Sequence, residues 1–269
     1  MQLIGQESNK DIISNWKELP QFLIIQGAKH TGKTYMIIEL CKKYELKYVL
    51  MKNSIKDVRS LIKLMTPNSN TVYHFKDFDS ASIQAKNALL KITEEPVVGN
   101  HIIITGSSQI KTLESRAKKL VMQAYSYGEV KTYMDKYYTD SKLEFRFYQA
   151  GINTPAKVEL YHDYDQLENL INYAFTVFNR ITFVTVDMCA DVVNSFSIRY
   201  EDIDAAILFL SFLINIIEYS IRNKQIYDYY SILEELADTK IALEKDRTIN
   251  RRMAMFRLMF NLYKMKGKI

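Results

Sequence analysis

"FLIIQGAKHTGKTYMIIELC", residues 22 to 41, sets an apolar run directly against a glycine-bounded loop, then against a stretch whose apolar residues recur at helical spacing. The run FLIIQ (22–26) reads as a strand, and its unbroken apolarity suits a strand covered on both faces. The loop GAKHTGKT (27–34) matches GxxxxGK[ST]. Gly27 and Gly32 let the chain wrap around Thr31 so that successive amide N–H groups converge on phosphate oxygens. Lys33 then reaches the β and γ phosphates, and the Thr34 hydroxyl supplies an oxygen to Mg²⁺. The helix that begins near Lys33 adds the positive end of its dipole. Strand, loop and helix in this order predict a site for ATP or ADP with Mg²⁺.

Working outward, residues 1–125 keep alternating short β-rich runs with helical patterns. After FLIIQ come YVLM (48–51), VYHF (72–75), HIIIT (101–105) and LVMQAY (120–125), separated by stretches such as KTYMIIELCKKY and SASIQAKNALLKITEE with one apolar stripe each. Alternation of this kind builds βαβ units with right-handed crossovers, hence an α/β domain around a parallel five-stranded sheet. From residue 126 the β signal fades. In NTPAKVEL, Thr154 is placed to cap a helix and Pro155 to occupy its first position. The expected organisation is a small helical domain over 126–163 and a second, all-α domain of about five helices over 164–269.

Composition narrows the chemistry. The chain has 269 residues, 48% hydrophobic and 25% charged, enough for a sizeable core. Cys41 and Cys189 lie far apart without CxxC spacing, and histidines 30, 74, 101 and 162 show no metal-ligand spacing, so no zinc is expected and any metal comes with the nucleotide. MQLIGQESNK lacks a basic segment followed by an apolar one, which predicts a cytoplasmic protein. The apolar stretch 205–217 is interrupted by Ser211 and Asn215 and falls short of the ~20 residues that span a bilayer, so it reads as a buried helix and no membrane is expected. The net charge is +5, yet residues 240–269 alone carry nine Lys or Arg against two acids. Such an end either faces nucleic acid or an acidic partner, or is a solvated helix face. The 19 tyrosines either stack on bases or pack amphipathic helices.

A hydrolysing P-loop enzyme also needs a strand that ends in acids, one in the metal shell and one to activate water. VYHFKDFD offers Lys76 and Asp77 at those places. A unit charge pair at ~4 Å is worth about 4 kcal/mol at an effective dielectric of ~20, so Lys76 is expected to point away from the metal, leaving Asp77 or Asp79 as the nearest carboxylates. Loss of a well-placed general base costs ~10² to 10⁴ in rate. Hydrolysis by this chain is therefore expected to be weak or absent, with Asp77 as a degenerate Walker B acid.

VYHFKDFDSASIQAKNALLKITEEP resembles the segment of clamp-loader ATPases in which a strand ends in Asp-Glu and the next helix reads NALLK followed by LEEP. LIGQES resembles the family's opening GQ element and NSIKDVRSLI its element between strands two and three. LESRAKKL resembles its Ser-Arg-Cys motif with Ala117 in the Cys place, and NTPAKV its sensor-2 element. INRRMAMFRLMFNL resembles the last collar helix of bacterial delta-prime subunits. The resemblance implies an AAA+ module, a three-helix lid and an all-α collar through which delta, gamma/tau and delta-prime subunits form a ring that loads a sliding clamp onto primed DNA. It makes Arg116 an arginine finger aimed at a neighbour's ATP, Thr105 the sensor-1 residue and Lys157 the sensor-2 base. Lys56, Arg59, Lys86 and Lys91 either track template phosphates or are solvated. The competing reading is a self-sufficient motor-type AAA+ ATPase, gamma/tau-like or a helicase loader.

Overall fold

The computed structural model describes residues 4–108, 111–138, 144–161, 166–181, 184–200, 202–223 and 229–265, apart from the side chain of Ser197. His162, Lys266 and Lys268 lie outside them. The chain divides into two compact units, Met1–Tyr138 with Thr154–Lys157, and Thr139–Asn153 with Val158–Ile269.

The first unit runs α1 (Glu7–Ser14), β1 (Phe22–Gln26), α2 (Lys33–Lys43), β2 (Lys47–Met51), α3 (Ile55–Leu64), β3 (Thr71–Phe75), α4 (Ile83–Glu94), β4 (Asn100–Gly106), α5 (Lys111–Glu114), β5 (Lys118–Val121) and α6 (Tyr127–Tyr137). Its five strands form one sheet, all parallel, in the order β2-β3-β4-β1-β5. Side chains alternate across β1. Phe22 and Ile24 join Phe75, Val58, Leu61 and Leu89 on the face covered by α3 and α4. Leu23 and Ile25 join Ile13, Met36, Ile37 and Leu40 on the face covered by α1 and α2. A central strand with helices on both sides has no wet face, which is why FLII is apolar throughout.

The edge strand departs from that expectation. Residues 47–50 of β2 are exposed, Leu50 to 58%, because β2 pairs only with β3. The fifth strand also ends earlier than the apolar run suggested, at Val121. Helix starts follow their side chains: Ser54 caps α3, Ser82 caps α4, and Ser126 with Glu129 forms a capping box on α6. The start of α2 is different. Its N-cap is Gly32 at φ 85°, with no side chain bonded to the first-turn amides.

After α7 (Phe145–Gln149) comes α8 (Pro155–Tyr161), whose first residues belong to the first unit. Thr154 Oγ1 accepts from the Lys157 amide at 3.2 Å, the cap its sequence predicts. Then follow α9 (Leu167–Phe178), α10 (Val186–Asn194), α11 (Ile203–Arg222), α12 (Tyr230–Lys245) and α13 (Arg251–Met265). Tyr173, Phe196 and Phe209 pack ring against ring in the core of this unit. The apolar stretch 205–217 is only the middle of α11. The whole helix has 20 residues, enough by length and composition to cross a bilayer, and half of its most apolar window is buried in the protein.

Candidate functional site

The loop between β1 and α2 is fixed at its start. The Gly27 amide donates to the Gly106 carbonyl at 3.0 Å, tying the loop to the end of β4. A Cβ at Gly27 would sit 2.7 Å from Met122 Cβ and 3.1 Å from Thr31 Oγ1, so the position has room only for hydrogen. Within the loop the buried Thr31 hydroxyl donates to the Ala28 carbonyl at 2.8 Å, and the Tyr125 hydroxyl donates to the Thr31 carbonyl at 3.3 Å. His30 adopts φ 64°, as the wrap requires.

Lys33, expected at the phosphates, is buried and folds back over its own loop. Its ammonium donates to the Gly27 carbonyl at 2.7 Å and to the Ala28 carbonyl at 2.6 Å. Burial lowers its pKa, against the opposing carboxylates of Asp77 and Asp79. The donor set fits a phosphate: an ammonium has three N–H groups, and its bonds to a charged oxygen are roughly twice as strong as those to a neutral carbonyl. Thr34 follows, half-buried, in the first turn of α2.

A cluster of cations surrounds the loop. Burial lowers the pKa of His30, and the ammonium groups of Lys157, Lys29, Lys33 and Lys76 lower it further, in that order. Thus Lys157, from far along the chain, lies close enough for its charge to act on His30 of the loop. Lys76 itself is exposed.

The acids after β3 divide their roles. Asp77 has φ 52° and ψ 43°, its amide donates to Thr105 Oγ1 at 3.3 Å, and its carbonyl accepts from the Ser80 hydroxyl at 2.7 Å. Asp79 is committed elsewhere. Its Oδ2 accepts from the amides and hydroxyls of both Ser107 and Ser108 at 2.9–3.0 Å, joining the turn after β3 to the turn after β4. Burial pushes the Asp79 carboxyl up, but those four bonds outweigh it and hold the pKa at about 2. Of the two acids named as nearest the phosphate, Asp77 is the one left to meet a metal. Among the described residues no group of three or more His, Cys, Asp or Glu could hold a metal ion. Mg²⁺ bound with a nucleotide needs only one or two carboxylates beside the phosphates, so Thr34 in the first turn of α2 and Asp77 after β3 would be the oxygens to hold it.

Thr105, at the C-terminal end of β4, is 1% exposed and belongs to a polar chain that crosses three strands. Its Oγ1 lies 3.0 Å from His74 Nε2, and His74 Nδ1 lies 2.8 Å from the Tyr48 hydroxyl on the edge strand. Burial, reinforced by Lys76, drops the His74 pKa to about 4, so its ring is neutral.

Gln6 explains the GQ element. Its side-chain amide donates to the Gln123 carbonyl at 2.7 Å and accepts from the Gln123 amide at 2.9 Å, pairing with that backbone as a strand would. Asn9 adds a bond to the Val121 carbonyl at 2.9 Å. These contacts anchor α1 beside Met122, the residue that touches Gly27.

Arg116 sits at the other end of the sheet. Lys118 pairs with Leu23 at the start of β1, whereas the phosphate loop follows its end, so at about 3.3 Å per residue β5 begins about 13 Å from that loop along the strands, and Arg116 sits in the turn before it. Its guanidinium is 42% exposed and meets Glu94 Oε1 at 3.0 Å, a surface pair worth about 1 kcal/mol or less. Glu94, Pro96, Ser115 and Arg116 line one cleft of about 650 Å³, so the EEP and ESR segments converge there. On the two helices that cover one face of the sheet, Lys56, Arg59 and Lys91 are exposed, while Lys86 donates to the Asp79 carbonyl at 2.6 Å. Asn53, whose side-chain amide donates to the Lys76 carbonyl at 2.7 Å, joins Gln6, His74 and Tyr125 as supporting residues to which sequence reasoning gave no individual role. A polar His74 inside the otherwise apolar VYHF run was the one visible signal.

No protein-family model matches the chain, and no curated protein matches it. Among solved structures, a mutant of RuvB from Thermotoga maritima superimposes with a TM-score of 0.51 at 12% identity, over 82% of this chain and 89% of that one. The fold is that of an AAA+ module. A second RuvB mutant gives 0.50 at 12% identity over 82% and 88%. A DNA polymerase III gamma subunit-related protein from the same organism covers 96% of this chain and 98% of its own, with a TM-score of 0.45 and 13% identity. The AAA+ fold places a parallel α/β nucleotide domain ahead of an all-α C-terminal part, as seen here.

Proposed function

We propose that this chain is a delta-prime-like subunit of a clamp loader, which holds ATP or ADP with Mg²⁺ in its own loop and supplies Arg116 to the ATP of a neighbouring subunit. The observation that carries this is the placement of Arg116, exposed and in the turn before β5, at the end of the sheet opposite its own loop. A guanidinium so placed stabilises charge only on a phosphate brought by another chain. Gly27, Thr31, Gly32, Lys33 and Thr34 would hold the nucleotide, with Thr105 and Lys157 beside it and Asp77 completing the metal's oxygens. Lys33 would move from two loop carbonyls to phosphate oxygens. Asp77 stands where a water-activating Glu is needed and is one methylene shorter, which supports binding without efficient turnover. The apolar stripe Met253, Phe256 and Phe260 on α13, exposed by 62%, 51% and 45%, suits the collar contacts of such a ring. Sliding clamp and primed DNA are then partners of the assembled ring, and exposed Lys56, Arg59 and Lys91 suit template phosphates.

Reconstitution tests this. The full chain is mixed with ATPase-competent clamp-loader subunits and a clamp, and DNA-stimulated ATP hydrolysis is compared for wild type and Arg116→Ala. The site completed by Arg116 is expected to slow by about 10³ or more. An unchanged rate removes the trans role. The alternative, a self-sufficient ATPase, rests on the electrostatic reach of Asp77 to Lys33, and single-turnover hydrolysis by the isolated chain that vanishes in Lys33→Ala would establish it.

A further inference from the structure

The polar chain Tyr48, His74, Thr105 has one buried acceptor too few to be satisfied with the His74 proton on either nitrogen. His74 is fully buried and neutral, so one ring nitrogen carries hydrogen and the other accepts. Thr105 Oγ1 already accepts from the Asp77 amide. If His74 carries its proton on Nδ1, that group donates to the Tyr48 oxygen, Tyr48 turns its own hydrogen to water through its 37% exposed side, and the Thr105 hydroxyl donates to Nε2. Every donor then has an acceptor. If the proton is on Nε2 instead, Tyr48 donates inward to Nδ1 and Nε2–H donates to Thr105, whose hydroxyl hydrogen is left buried without a partner. An orphaned buried donor costs about 1–3 kcal/mol. Only a new acceptor next to Thr105 relieves it.

We infer that His74 is a tautomeric positioning residue: it carries its proton on Nδ1 in the free protein and on Nε2 when a phosphate oxygen of a bound nucleoside triphosphate accepts from Thr105. The inference rests on the nucleotide reading above. It makes Thr105 a donor only when a phosphate is there, and it reports that event at the sheet edge, where the Tyr48 hydroxyl swings from water to His74. The net proton count does not change, but the ring breaks its Nδ1–H bond and forms an Nε2–H bond: one proton passes to water through the Tyr48 hydroxyl and one returns from water at the nucleotide site through Thr105, while the two hydroxyl hydrogens turn to their new partners.

The test is ¹⁵N NMR of the full chain labelled at its four histidines, with His74 assigned by loss of its signals in His74→Gln. The non-protonated nitrogen is expected to be Nε2 in the free protein and Nδ1 after saturation with Mg-AMP-PNP, with binding followed in parallel by calorimetry. Thr105→Ser, which keeps the hydroxyl, should retain the exchange, and Thr105→Val should abolish it. Should Thr105→Val fail to fold, the wild-type and Thr105→Ser arms still decide. A free protein already protonated on Nε2, or an AMP-PNP complex with unchanged tautomer, overturns the relay. AMP-PNP that does not bind at all, with the free protein protonated on Nδ1, overturns the nucleotide reading and, with it, the ligand-driven half of the relay.

Discussion

Replacing Asp79 by alanine separates a strut from a metal ligand. In the fold its Oδ2 collects four hydrogen bonds from Ser107 and Ser108, and its pKa drops from an ordinary 3.8 to about 2. At 1.36 kcal/mol for each tenfold change in affinity for the proton, that difference corresponds to at most about 2 kcal/mol, and solvent screening of a partly exposed group brings it to about 1 kcal/mol. The sign follows from the depressed value. The contribution is complete above the unfolded pKa near 3.8 and is lost as pH falls through about 2. Urea unfolding should therefore show Asp79→Ala less stable than wild type by about 1 kcal/mol at pH 7 with the same m-value, and the gap should close between pH 4 and pH 2. Nucleotide affinity should keep its full Mg²⁺ dependence in the variant. Unaltered stability together with loss of the Mg²⁺ dependence would refute the reasoning, because Asp79 would then be spending its charge on the metal.

Three further outcomes check other parts of the site. Gly27→Ala forces a Cβ to within 2.7 Å of Met122 Cβ and should cost about 1–3 kcal/mol in denaturant unfolding while weakening nucleotide binding; normal affinity would mean the loop tolerates a wider path. Gln6→Ala removes both bonds to the Gln123 backbone and should destabilise by about 1–3 kcal/mol, read as a lower urea midpoint. Lys157→Ala should raise the His30 pKa, followed by NMR titration, and a static value would separate Lys157 from the loop.

The sheet was legible because parallel strands covered on both faces leave apolar runs that alternate with helical stripes, as FLIIQ and HIIIT do. YVLM (48–51) misled for the same reason: residue pattern reports apolarity, but whether a strand has one neighbour or two is decided by chain order across the sheet. The loop residues were readable from spacing alone, since glycine positions and a Lys-Thr pair encode a backbone path. What spacing does not carry is side-chain direction. Lys33 hydrogen-bonds its own loop, and Asp79 binds two serines 28 and 29 residues further on. The Gln6 bond to Gln123 and the Tyr125 bond to Thr31 span 117 and 94 residues, separations at which one sequence offers no local pattern.

A parallel sheet has a direction, and this one places its anion-binding loop at the heads of the strands and its outward arginine at their tails. Two copies related by a dyad bring arginine to phosphate only where one self-complementary patch holds both the loop and Arg116, each copy's arginine then meeting the other's loop. Translation-like, repeated stacking makes the same match by delivering one chain's tail to the next chain's head. Such an assembly has a first and a last member, and at one end an arginine, at the other a loop, is left without its counterpart unless the row curves back and closes.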